Sequence, residues 1–150
     1  MTDAAADHRI AAARVRACRD EIAGQIRAYR DLVGAASKAS GMSLTRIDAA
    51  LAAFEPAFFN NLLIALDARF AQRPRDAAGE DAHPLAEVRL LCAALLEHGG
   101  VMTDDETIPY QPSKSVLGID PGDRVALNAD DFEAIATVFL DAIERRFRDA

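Results

Sequence analysis

Arg89 gives the strongest chemical signal in this 150-residue sequence. It sits in a run whose apolar residues recur at helical spacing. On a helical wheel it falls beside Leu85 and Leu96, at the edge of the apolar stripe, while Glu87 and His98 lie well away from it. Taking a lone guanidinium out of water costs on the order of several kcal/mol, so the position calls for a carboxylate, a carbonyl or an anionic ligand. Asp67 and the acidic turn Asp104-Asp105-Glu106 are the internal candidates. A ligand is the alternative, and Tyr110 and Lys114 are the side chains that would complete its pocket, from a proline-rich segment laid over a helical scaffold. No spacing rule brings these three together.

Other catalytic patterns are missing from the sequence. It has no glycine-rich phosphate loop, no Gly-x-Ser-x-Gly, no Cys-x-x-Cys and no His-Glu-x-x-His. The reading therefore names no catalytic residue, no cofactor and no metal site, and leaves open whether the chain is an enzyme. His83 and Glu87 are four residues apart, but Pro84 places His83 ahead of its helix. The Asp104 to Glu106 triplet lacks the alternating oxygens and the glycine of a calcium loop, and reads as a solvated turn. Cys92 has Leu91, Ala93 and Leu95 for neighbours and nothing to lower its thiol pKa, so it reads as packing, as does Cys18.

The elements that hold these residues read as mainly α: a bundle of about five helices, with a small β-hairpin or extended segment at about 100–127 before the last one, all in a single domain over 1–150. At 51% hydrophobic the chain can bury a core without staples. A first helix runs from about Asp3 to about Ala36 on a narrow stripe of Val15, Cys18, Ile22, Tyr29 and Leu32, with Ile26 and Val33 beside it. Unbroken, it would be roughly 50 Å long at 1.5 Å per residue. Either Gly24 bends it or part of it packs outside its own subunit.

Ser43 opens a second helix carrying Leu44, Ile47, Leu51 and Phe54, and Pro56 starts a third, over about 55–73, whose Phe58, Phe59, Leu62, Leu63, Leu66 and Phe70 form the densest apolar face. Asn60 and Asp67 point away from that face, toward solvent. After a polar loop at 74–82, a fourth helix spans Pro84 to His98, apolar on most sides and closed by Gly99. Prolines 109, 112 and 121 exclude a helix over 100–127, and the sequence SVLGI-DPGD-RVAL reads as a hairpin. Asn128 then caps a last helix with acids in its first turns, arginines in its last, and Phe132, Ile135, Phe139, Ile143 and Phe147 facing inward.

Charge narrows the function classes. Residues 1–40 hold seven basic and five acidic side chains, whereas residues 74–150 hold seven and sixteen. Nucleic-acid binding would rest on Arg9, Arg14, Arg16, Arg19, Arg27 and Arg30 of the first helix alone, against an acidic balance of −7 that repels phosphate backbones. The same asymmetry lets the basic end of one copy meet the acidic end of another, or leaves two solvated surfaces. No apolar run approaches the eighteen or so residues of a membrane span and MTDAAADHRI is no secretory signal, so the expectation is a cytoplasmic protein with reduced thiols and no membrane partner. The leading reading is a helical interaction module, a homodimer with room for a protein partner. An anionic-ligand protein or enzyme with a site at Arg89, Tyr110 and Lys114 is the first alternative, and weak nucleic-acid binding the second.

Overall fold

Helical periodicity dominates the chain, and the computed structural model, which describes residues 4–39, 44–71 and 82–149, follows it. Four helices appear in order: α1 (Ala4–Lys38), α2 (Leu44–Arg69), α3 (Ala82–Glu97) and α4 (Ala129–Asp149), with a single 3-10 turn, Pro112–Lys114, between α3 and α4. The fold is thus mainly α with an irregular segment before the last helix, but with four helices rather than five.

The difference lies at Pro56, where the sequence suggests a new helix and α2 instead runs through. A proline ring removes one backbone donor and crowds the carbonyl four residues earlier. Here that carbonyl belongs to Ala52, which is exposed, so water can satisfy it. The aromatic face on both sides of Pro56 then holds the helix together. α2 is also long and apolar enough, by length and composition, to cross a membrane. Its buried residues Phe59, Leu63 and Leu66 belong to the same core as residues of α3 and α4.

α1 is continuous through Gly24, so no bend resolves its length. It packs antiparallel to α4. The His8 imidazole donates through Nδ1 to the Phe147 carbonyl, Arg19 meets Asp141 and Glu144 at 2.6 and 3.1 Å, and Arg30 meets Asp130 and Glu133 at 2.9 and 2.8 Å. The basic stretch of the chain thus finds its acidic stretch within one molecule. Val15, Cys18, Ile26 and Tyr29 are buried as their spacing demands, whereas Leu32 is exposed and its neighbour Val33 takes the core-facing position. Cys18 and Cys92 are buried thiols with no disulfide between them.

The core is centred on Phe59, Phe132, Phe139, Leu63, Leu91 and Ile135, all essentially without exposure. Truncating one such phenylalanine to alanine costs about 3–5 kcal/mol in transfer and cavity terms. α3 is buried on most sides, as its all-round apolar character requires, and Gly99 ends it in the left-handed conformation (φ 62°), letting the Gly100 amide reach back to the Ala94 carbonyl at 2.8 Å. Asn128 and Asp131 form a reciprocal cap on α4: the Asn128 side chain accepts from the Asp131 amide at 2.8 Å, and the Asp131 carboxylate from the Asn128 amide at 3.2 Å.

The expected hairpin of 115–119 against 124–127 does not form. Residues 122–125 pair instead with 100–102: the Met102 amide donates to Asp123, the Gly122 amide to Met102 and the Val125 amide to Gly100, each at 2.8 Å, around an isolated antiparallel bridge between Val101 and Arg124. Gly122, at φ 96°, supplies the turn that follows Pro121. The outer edge of 125–127 is taken by a side chain. The Asn60 amide donates to the Val125 carbonyl and accepts from the Leu127 amide, both at 3.1 Å, as a neighbouring strand would. Asn60 therefore points into the molecule, not toward solvent, and it fastens α2 to the approach to α4.

Candidate functional site

The three residues singled out from the sequence occupy separate settings. Arg89 is half-buried on α3 and Lys114 is exposed in the 3-10 turn, while Tyr110 directs its hydroxyl to the Ile119 carbonyl at 2.7 Å. No hydrogen bond or ion pair among the described residues joins them to one another. Burial, with the charges of Glu87 and Asp120, pushes the Tyr110 phenol up, while a hydrogen bond from Ser115 pulls the other way. A neutral phenol held against a carbonyl is a structural group. Asp105 accepts from both the backbone and the side chain of Thr107, at 2.8 and 2.6 Å, and the side-chain bond first, then the backbone one, holds its carboxyl below the usual range. The acidic triplet thus contains a closed local turn.

Sequence reasoning misplaced Glu87 as well as Asn60. Glu87 is wholly buried, and its two carboxylate oxygens accept from the Val116 and Leu117 amides at 2.9 and 3.0 Å. One turn earlier, the His83 imidazole accepts at Nε2 from the Gln111 amide at 3.0 Å and stacks on the Tyr110 ring, with centroids 5.6 Å apart and planes 26° apart. His83 lies inside α3, not ahead of it. A usable signal was present. α3 is apolar nearly all round, so any acid it carries must be buried and must find donors.

The arginines of α1 are largely spent inside the molecule. Arg19 and Arg30 pair with α4, and Arg14 donates to the Arg69 carbonyl at 3.0 Å with its guanidinium 5.8 Å from the centre of the Phe70 ring. Arg69 in turn grips Glu21 with two nitrogens, at 2.5 and 2.7 Å, and this hydrogen bonding holds the Glu21 carboxyl low. A cavity of about 330 Å³ opens between α1 and α4 over Ile22, Ile26, Ala136 and Leu140, with Arg27 and Glu133 on its rim. Neither this cavity nor the smaller one beside Cys18 includes Arg89, Tyr110 or Lys114.

Three of the exposed large apolar side chains lie toward the place where α1 ends and α2 begins. The Arg30 ion pairs mark where α4 begins, and α1 continues about 12 Å beyond them. Over that length α2 runs back from Leu44. A column of rings leads outward from the core: Phe132 lies 5.8 Å from Phe59, Phe59 meets Tyr29 edge-on at 5.0 Å and Phe58 at 5.1 Å, and Phe54 stacks on Phe58 at 5.2 Å and on Tyr29 at 6.4 Å. The Tyr29 hydroxyl donates to the Glu55 carboxylate. Burial first, then that bond, pushes the phenol well above the ordinary tyrosine range. Ile47 is buried, yet Leu32, Leu44 and Phe54 remain 65%, 62% and 47% exposed. Such an arrangement has no titratable group poised for chemistry. Its most exposed large side chains are apolar.

Compared with family models, curated proteins and solved structures, the chain matches none.

Proposed function

We propose that this chain is a helical interaction module that pairs with a second copy of itself through the surface where α1 ends and α2 begins. The observation that carries the reading is the exposure of Leu32, Leu44 and Phe54 on two helices that extend past the rest of the bundle. Exposed apolar side chains gathered toward one end of a helix pair are the kind of surface that serves as a contact site. Two helical hairpins laid face to face make a four-helix arrangement, which buries the stripe each leaves open alone. A second copy is the favoured occupant because its own Leu32, Leu44 and Phe54 offer the same apolar chemistry, as a two-fold interface requires.

The ion pairs of Arg19 and Arg30 within the molecule remove the electrostatic route to pairing, basic end to acidic end, and favour the apolar one. They also engage two of the six arginines of α1 that a phosphate backbone would need, which weakens the nucleic-acid reading. The anionic-ligand reading is weakened by Tyr110, whose hydroxyl is held by Ile119.

Light scattering coupled to size exclusion tests the proposal. At micromolar concentration the chain should elute with twice its 16.1 kDa mass, and the double variant Leu32→Asp, Leu44→Asp with a single mass and an unchanged helical circular dichroism spectrum. A wild-type chain that stays at 16.1 kDa, or a double variant that still pairs, overturns it.

A further inference from the structure

We propose that residues 103–119 form a strap whose fastening to α3 is released by mild acid, with His83 as the trigger and Glu87 as the anchor. The strap has no helix of its own beyond the 3-10 turn, so α3 must hold it through side chains. Glu87 takes the Val116 and Leu117 amides, His83 takes the Gln111 amide, and the His83 ring lies against that of Tyr110. A backbone amide can only donate, so His83 must offer it a bare lone pair at Nε2, with its proton on Nδ1. An imidazolium has no such lone pair. Protonation, which imidazoles undergo between about pH 5 and 8, sets donor against donor at this contact.

The other two histidines differ. His8 donates to the Phe147 carbonyl, a bond that protonation preserves, and His98 is exposed beyond the end of α3. The Tyr110 ring stacks on His83, and the other charged side chains of the two segments that meet there include Glu87 and Arg89 on α3 and Lys114 and Asp120 on or beside the strap. The Gln111 amide has the His83 Nε2 lone pair as its hydrogen-bond partner. Ile108, Val116, Leu117 and Ile119 pack against the core from this segment, so its release uncovers an apolar surface on the side of the molecule served by α3.

Hydrogen–deuterium exchange of the whole chain at pH 7.5 and 5.5, corrected for intrinsic chemistry, reads the device. Peptides from 107–119 should exchange about five-fold faster at the lower pH, the equivalent of one hydrogen bond, relative to peptides of α4. His83→Gln, whose side-chain oxygen accepts at either pH, should abolish the acceleration. His83→Phe, which keeps the ring contact without an acceptor, should exchange fast at both. Equal protection of the wild-type strap at the two pH values, or the same acid response in His83→Gln, overturns the proposal. The wild-type measurement alone decides if either variant fails to fold.

Discussion

Replacing Glu87 by glutamine or methionine perturbs the one carboxylate among the described residues that is entirely out of water. Glutamine keeps a single acceptor oxygen, so one of the Val116 and Leu117 amides loses its partner and instead faces an NH₂ group. A hydrogen bond to a charged group contributes about 1.5–3 kcal/mol, and an unmatched buried donor adds its desolvation, so Glu87→Gln should cost about 2–4 kcal/mol. For a chain of this length that is a drop of about 5–15 °C in Tm. Methionine, close in volume, removes the buried charge together with both acceptors. Buried charges replaced by apolar groups can raise stability, but only when the partners they leave are removed too. Here both partners are backbone amides that remain, so Glu87→Met should lose about 2 kcal/mol or more. Urea unfolding followed by circular dichroism gives both values, the slope serving to confirm that the surface exposed on unfolding is unchanged. A Met variant as stable as the wild type would refute the idea that these two amides need the carboxylate.

The same assay applies to Asn60. Asn60→Ala strips the Val125 carbonyl and the Leu127 amide of their partner and should cost about 2 kcal/mol, two ordinary hydrogen bonds, while Asn60→Asp should also destabilise by setting an oxygen against the Val125 carbonyl. The two tyrosines of the sequence, Tyr29 and Tyr110, both have raised phenol pKa values, chiefly through burial. Raised folded values mean stabilisation that is complete below about pH 10, where an unfolded tyrosine ionises, and lost as pH climbs through the folded values. The native chain should therefore show little tyrosinate absorbance near 295 nm at pH 10, and half-ionised tyrosines in the folded protein at that pH would contradict it.

Where the sequence allowed a clear reading, local rules and burial agreed. Gly99 closes α3 and Asn128 caps α4 where turn and cap chemistry place them, and the spaced Phe132, Ile135, Phe139 and Ile143 are all buried. The misreadings share a physical origin: polar or punctuating residues whose partners are distant in sequence. Pro56 looks like a boundary until the exposed carbonyl of Ala52 and the rings around it are known. Asn60 and Glu87 look like solvent-facing positions until backbone from 125–127 and 116–117 arrives to meet them, separations of 65 and 29 residues at the first contact of each. Arg89 was legible as half-buried, but no periodicity could have told that Tyr110 would be turned toward Ile119. Leu32 was legible only as part of a stripe, because three- and four-residue spacing from Tyr29 admits either Leu32 or Val33 and the core takes Val33.

The antiparallel match of α1 with α4 also constrains how the chain can be made. Arg19 leaves the ribosome 122 residues ahead of Asp141. At about 5–20 residues per second, the first helix waits roughly 6–24 s for the partner that covers its apolar stripe. During that interval a nascent chain carries Val15, Cys18 and Ile26 without that cover. Until α4 is made, that stripe has only α2 and α3 to shelter it.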